Sequence, residues 1–408
     1  MTSSPVRPAG AASGHDHRES ALRPSLCVGI LGGGQLARMT AEAGARLGIP
    51  VVVLDPEPAS PAGQVTRQIV APPSDTAALE ELAREIDVVT LENEFVDLAA
   101  LEFLVRRGVM ARPSIESFAI VHDKLRQKQH LAGRGLAAPP VAAVTTPEDL
   151  TRFAARHGWP AVLKTRSQGY DGRGVAVARD ASGVEAAWRL LGGGARPLMV
   201  EGHVAFRTEL ATQVVRNARG EIVVYPVVET VQGNFVCRLV RAPAPLAPET
   251  LARASALAVE AVVAIGGIGV HGVEMFLADD GQIYVNEIAP RPHNSGHYTI
   301  DACETSQFEN HLRAILGLPL GSPAMRAPAA VMVNLLATRS GPADGLRAAI
   351  DALREQPSAA AGRPAVNIYL YGKSELRPGR KMGHVNALGG SIAEAEARAQ
   401  GAVAALDL

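Results

Sequence analysis

Three groups of side chains in this 408-residue sequence have the types and spacing that phosphate chemistry needs. The first is "VEMFLADDGQIYVNE", Val273 to Glu287. An Asp-Gly pair favours a two-residue hairpin turn, here Asp280-Gly281. Asp279 then faces Gln282, and Glu274 falls directly opposite Glu287. Like charges in that register repel, so the pairing calls for a cation. Mg²⁺ suits the position, because it binds through one or two carboxylates together with substrate phosphates. The alternative is a pair of solvated edge glutamates, and the apolar neighbours argue against it.

The second group is "KTRSQGYDGRGVAV". Lys164 ends a strand, and Tyr170, Asp171 and Arg173 stand among Gly169, Gly172 and Gly174. Three large reactive side chains are unusual in a loop flexible enough to hold phosphate. The third is "YLYGKSELRPGRKMGH", which gathers Lys373, Arg377, Arg380, Lys381 and His384. Its "GKS" is not the end of a P-loop, because Asn367 stands where that motif requires glycine. A cationic pocket for a phosphate monoester fits the cluster better, with an exposed charge run as the alternative. "RPHNSGH" packs further polar side chains directly after the hairpin. Lys124 and Lys128 lie one helical turn apart, facing either phosphate or solvent.

The elements that must position these groups are legible in outline. "LCVGIL", a glycine turn, a helix closed by Gly48 and the strand "VVVLD" form a βαβ unit. "GGGQLA" with Asp55 satisfies the dinucleotide fingerprint, which taken alone suggests a nicotinamide dehydrogenase. "ESFAIVHDKLRQKQHLAGRGLAAPP" reads as a helix with a glycine stop and proline exit. From Val141 the pattern changes to hairpins, one of them capped by Gly169–Gly174, and residues 249–265 read as a helix. A smaller unit with the strand "VNIYLYG" and a final helix follows from about Arg326. The fold class is therefore α/β and α+β. The expected divisions are a disordered tail at 1–24, a Rossmann-like domain at 25–125, a central domain at 126–325 and a small C-terminal domain at 326–408.

Composition narrows the partners. A net charge of −1 gives no excess to attract nucleic acid or a membrane surface. No apolar run reaches the length of a membrane span, and the first residues hold no signal-peptide core. Cys27, Cys237 and Cys303 are far apart and fit no metal spacing, which suits a reducing cytoplasm.

Together these motifs resemble the ATP-grasp superfamily, and within it the 5-(carboxyamino)imidazole ribonucleotide synthetase family of purine biosynthesis. "GQLARM", "QKQ", "GYDGRG", "NEIAPRPHNSGH" and "RPGRKMGH" carry the resemblance from about Leu26 to His384. It implies ATP-dependent carboxylation of 5-aminoimidazole ribonucleotide with bicarbonate, through carboxyphosphate, by a cytoplasmic homodimer that uses Mg²⁺. It places Lys124 and Lys164 on the ATP phosphates, and Glu201, Gly202 and Val204 along adenine. Glu209 would bind the ribose, and Glu274 and Glu287 the Mg²⁺ beside Asn286. Gly169, Gly172 and Gly174 would let the loop close over the phosphates. Arg173 would stabilise bicarbonate and carboxyphosphate, Asp171 orient or deprotonate the amine, and Tyr170 pack on the imidazole. His293, Lys373, Arg380 and Lys381 would contact the ribonucleotide, with Gln35 and Glu92 on the same cleft. Three rivals compete with this reading: a formate-dependent glycinamide ribonucleotide transformylase of the same superfamily, the dehydrogenase suggested by "GGGQLA", and a non-enzymatic nucleotide-sensing binding protein.

Overall fold

The computed structural model describes residues 26–169, 172–343 and 365–406. The expected tail at 1–24, Tyr170 and Asp171 lie outside the described residues. The first unit is a parallel sheet of β1 (Val28–Leu31), β2 (Val51–Asp55), β3 (Arg67–Val70), β4 (Val88–Leu91) and β5 (Met110–Ala111), in the order β3-β2-β1-β4-β5. Its inner strands β1, β2 and β4 are short, buried and mostly apolar runs, as strands of a parallel sheet covered on both faces are. The order reverses between β1 and β4. A crevice opens at such a switch point beyond the carboxyl ends of the strands. Gly32–Gln35 follows β1 and Glu92 follows β4, so both expected residues come from that crevice. The helix Gln35–Leu47 ends at Gly48 in the left-handed conformation, φ 68°.

The second unit is an antiparallel sheet, β6 (Val141–Val144), β7 (Ala161–Thr165), β8 (Val175–Ala178) and β9 (Leu198–Gly202), ordered β6-β9-β7-β8. The β7–β8 hairpin carries the glycine loop, and Lys164↔Val175 is its last paired position.

The third is a nine-stranded sheet. Its path runs β15 (Ile283–Ala289), β14 (Gly269–Ala278), β10 (Phe206–Arg216), β12 (Val228–Gly233), β13 (Val236–Ala242), β16 (Ala329–Leu336), β20 (Lys381–Gly389) and β18 (Val366–Leu370), with β11 (Ile222–Val224) beside β10. A short pair, β17 (Gly341–Pro342) and β19 (Glu375–Leu376), completes the strands. Through β13 and β16 the C-terminal strands extend the central sheet, so the basic cluster is tied to the carboxylate hairpin by continuous hydrogen bonding.

Two local expectations change. The stretch after Pro113 is not one helix but two, Ile115–Val121 and Lys124–Gly133. Asp123 interrupts it by accepting from the N–H groups of Leu125 and Arg126, the usual role of an N-cap carboxylate. Lys124 thereby becomes the first residue of a helix rather than a position inside one. The β14–β15 turn also differs. Ala278 pairs with Gln282, and Gly281 sits at φ 83°, giving a three-residue turn. The register near the turn is one residue off the two-residue expectation, with Leu277↔Ile283 and Met275↔Val285. A bulge then inserts Asn286, and Glu274↔Glu287 pair after all. Two departures cancel, and the bulge turns two consecutive side chains, Asn286 and Glu287, onto the same cleft.

Candidate active site

A cleft of about 1180 Å³ lies where the three sheets meet. Gln35 and Glu92 enter it from the first unit, and Lys164, Gly169, Gly172, Arg173, Gly174, Glu201, Gly202 and Val204 from the second. Glu209, Glu274, Asn286 and Glu287 line it from the long sheet, His293 from the loop after β15, Lys124 from its helix start, and Lys373, Arg380 and Lys381 from the C-terminal strands and their connections.

The carboxylate pair sits at its centre. Burial raises the pKa of Glu274, the adjacent Glu287 and Glu209 raise it further, and it reaches about 8. Burial opposes ionisation of Glu287 as well, but the Lys124 ammonium, in direct ion contact, and Lys164 bring it down to about 2. Burial and mutual repulsion oppose ionisation of the two carboxyls together, and a divalent cation there would favour both charges. Among the described residues no three His, Cys, Asp or Glu side chains are grouped so as to hold a metal ion by themselves. Two carboxylates that leave the remaining positions to phosphate and water match Mg²⁺ better than a metal held by protein alone. The residues present fit that ion. The ring of His293 approaches Glu274 Oε1 at 3.4 Å through Nε2.

Around this pair the lysines divide. Lys128 does not share the cleft face of Lys124. It is 3% exposed and lies 3.2 Å from Glu201 Oε2, with its ammonium also donating to Val285 O at 3.1 Å. Lys164 lies 3.2 Å from the same oxygen and 3.5 Å from Asn286 Oδ1. Burial pushes Lys128 down to about 8. Burial acts on Glu201 in the opposite sense to its two lysines, and the lysines win, lowering its pKa. The Glu201 carboxylate is thus the internal counter-charge of two ammonium groups, while Gly202–Val204 continues along the cleft. Arg166, at the root of the glycine loop, grips Asp123, and its carbonyl accepts from the Lys124 N–H at 2.8 Å. The helix that presents Lys124 is thereby fixed to the strand that presents Lys164.

The glycine loop is constrained at its root. Thr165 N–H donates to Gly174 O at 2.9 Å, and Gly174, at φ 88°, lies so close to the Thr165 hydroxyl that a Cβ would collide with it. Gly172 lies against Phe235 at the β12–β13 turn. That contact went unread in the sequence, although "QGNFV" between two strands signals a turn.

At the first unit's end Asp55 does not face a ribose. Its carboxylate accepts from Gly33 N–H at 2.7 Å and from Glu57 N–H at 2.8 Å, so both oxygens are occupied in shaping the glycine turn. The dinucleotide fingerprint is structural here. Glu92 accepts from Asn93 at 2.8 Å and from Leu36 N–H at 3.4 Å; burial outweighs these bonds and raises its pKa. Arg291, which the sequence marked only as part of a dense loop, pairs with Glu94 at 2.7 Å. Across the cleft Lys373 donates to Lys381 O at 2.8 Å, and Arg380 donates to Glu375 O at 3.0 Å. Burial, then the Arg380 charge, push Lys373 down to about 8.

Comparison with known proteins agrees with this arrangement. Residues 26–122 match the ribonucleotide synthetase preATP-grasp domain, residues 129–308 the ATP-grasp domain, and residues 330–398 the phosphoribosylaminoimidazole carboxylase C-terminal domain. The N5-carboxyaminoimidazole ribonucleotide synthase of Synechococcus elongatus is 44% identical over 90% of this chain and 90% of its own. That of Mycobacterium tuberculosis is 43% identical over 91% of this chain and 86% of its own. The chain belongs to this family of ATP-grasp ligases. The crystal structure of the Aspergillus clavatus N5-carboxyaminoimidazole synthase with ADP and 5-aminoimidazole ribonucleotide is similar at a TM-score of 0.85, with 38% identity, covering 94% of this chain and 98% of that one.

The buried Lys128–Glu201–Lys164 cluster yields a stability prediction. Glu201→Gln leaves two ammonium groups without their carboxylate, at a cost of about 3–5 kcal/mol at pH 7. Lys128 binds its proton less tightly folded than unfolded, so its share of the cost is complete below its folded pKa, about 8 or lower in the variant, and is relieved as pH rises toward 10.5. Urea unfolding of both proteins from pH 7 to 10 should show the deficit and its narrowing. An equal deficit at every pH would remove Lys128 from the account.

Proposed function

We propose that this cleft carries out the family's reaction with the residue roles that follow. A bicarbonate oxygen attacks the γ-phosphorus of ATP, the bond to the β-phosphate oxygen breaks, and ADP and carboxyphosphate form. Carboxyphosphate splits into CO₂ and phosphate. The exocyclic amine of 5-aminoimidazole ribonucleotide adds to the CO₂ carbon and gives up a proton.

The charge layout of the cleft carries the reading. Lys124, Lys164 and the opposed Glu274 and Glu287 form one charged centre. Lys373 and Arg380, in the connections between β18, β19 and β20, form a second with Lys381 at the start of β20. One centre suits a triphosphate with its metal, the other a phosphate monoester, and the reacting groups meet between them. Lys124 and Lys164 hold the ATP phosphates, Gly202–Val204 lies along adenine, and Glu209 takes the ribose. Mg²⁺, held by Glu274 and Glu287 next to Asn286, would polarise the γ-phosphate. Arg173 offsets the charge that develops on bicarbonate and carboxyphosphate. Lys373, Arg380 and Lys381 bind the ribonucleotide phosphate, and Gln35, Glu92 and His293 border its ring. The roles of Tyr170 and Asp171 at the imidazole and its amine rest on the family resemblance, as do the dimer and the cytoplasmic location.

ADP release with each substrate omitted in turn tests the whole reading. It should require ATP, bicarbonate and the aminoimidazole ribonucleotide together. Release driven instead by formate and glycinamide ribonucleotide would overturn it.

The assignment of the two charged centres has its own test. Lys373→Ala should raise the KM for the ribonucleotide about ten- to a hundred-fold, the worth of a charge-assisted hydrogen bond, and leave that for ATP nearly unchanged. Lys164→Ala should do the reverse. Only protonated Lys373 attracts phosphate, so kcat/KM for the ribonucleotide should fall as pH rises through about 8. Lys373→Arg stays charged and should flatten that fall. Loss of ATP affinity alone in Lys373→Ala would place the cluster on the nucleotide.

A further inference from the structure

The segment that carries Lys373 is docked on the first unit. Tyr371 is buried in the same apolar cluster as Val28, Leu36, Met39 and Val53. One residue later Gly372 turns the chain at φ 75°, in the left-handed region. Its carbonyl accepts from Gln64 Nε2 at 2.7 Å, a bond between the first unit and the C-terminal segment. A Cβ at Gly372 would stand 2.2 Å from Gln64 Oε1 and 2.9 Å from Arg38 Nη1, so this approach requires glycine.

The Gln64 amide is fixed from three directions. Its Nε2 also donates to Ala59 O at 3.1 Å, and its Oε1 accepts from Arg38 Nη1 at 3.2 Å. A carbonyl only accepts and a guanidinium only donates, so one orientation of the amide satisfies all three partners. Arg38 is held in turn. It donates to Pro61 O at 3.4 Å and, through Nε, to Glu42 Oε1 at 3.0 Å. The Gly372 carbonyl and the Lys373 nitrogen share one planar peptide unit, which ends at the Lys373 Cα. Fixing that carbonyl sets the base of the Lys373 side chain. At the other end the ammonium donates to Lys381 O at 2.8 Å. Neither Arg38 nor Gln64 lines the cleft itself.

We propose that Gln64 and Arg38 are positioning residues for Lys373. They hold the Gly372 carbonyl across the boundary between the first unit and the C-terminal segment, and so fix where Lys373 meets the ribonucleotide phosphate. The choice of substrate rests on the role given to Lys373 above; the coupling of Gln64 to Lys373 does not.

A double-mutant cycle on the full chain tests this. Gln64→Met keeps the length of an exposed side chain and removes its hydrogen bonds. It should raise the KM for the ribonucleotide about three- to tenfold, the worth of one neutral hydrogen bond. The KM for ATP should stay within about twofold, and the melting temperature within about 2 °C. In a Lys373→Ala background the same substitution should change the ribonucleotide KM by less than about twofold, because the group it positions is gone. A three- to tenfold rise in both backgrounds, or a wild-type KM in Gln64→Met alone, would overturn the proposal. Arg38→Met should act in the same direction and add nothing to Gln64→Met. An effect of Arg38→Met that persists undiminished in the double variant would remove Arg38 from it. If Lys373→Ala raised the KM for ATP instead, the cycle would be read on ATP. Coupling there would uphold the positioning role and overturn only the substrate assignment.

Discussion

Two carboxyl groups face each other across adjacent buried strands, and most of the site is arranged around that repulsion. Glu274 and Glu287 cannot both ionise cheaply with burial and each other to oppose it. The protein answers with Lys124, which neutralises Glu287, and leaves Glu274 able to take either a proton or a cation. The proposed metal would complete the charge of that centre.

Other features secure the pieces that meet there. Asp123 ends one helix and begins the next, which puts Lys124 at the cleft, and Arg166 ties that helix start to the glycine loop. Glu201 holds Lys128 and Lys164 together inside the protein, so the second ammonium is fixed before any nucleotide binds. The long sheet that carries the two glutamates continues into β20, which begins at Lys381, and β18, which ends three residues before Lys373. The distance between the two charged centres is therefore set by backbone hydrogen bonds rather than by a linker. Catalysis by positioning and electrostatics requires that rigidity.

Much of this was legible in the sequence because it is local. The Glu274–Glu287 pairing follows from alternation and a turn signal, the glycine loop from its flanking strands, and the basic cluster from its density. What remained hidden was tertiary or hung on a single residue. A bulge at Asn286 and a three-residue turn shift the register in opposite directions, and no pattern of apolar residues reports either. Asp123 acts as a cap inside what reads as one helix, since capping depends on where its carboxylate points. Asp55 has the spacing of a ribose ligand but spends both oxygens on backbone N–H groups, a difference that spacing cannot express. Lys128 resembles Lys124 by periodicity, and only its burial against Glu201 separates them.

The measurement that bears most directly on the opposed carboxylates is Mn²⁺ binding in the presence of ADP, followed by the electron paramagnetic resonance of the free ion. Mn²⁺ substitutes for Mg²⁺ at oxygen sites. Wild-type protein should form a ternary complex with ADP and the metal. Glu274→Gln and Glu287→Gln should each weaken metal binding in that complex by more than about tenfold, since even the loss of an outer partner costs that much. If both variants bound Mn²⁺ with ADP as tightly as wild type, the two glutamates would not be the metal's ligands, and the centre of the account would be wrong.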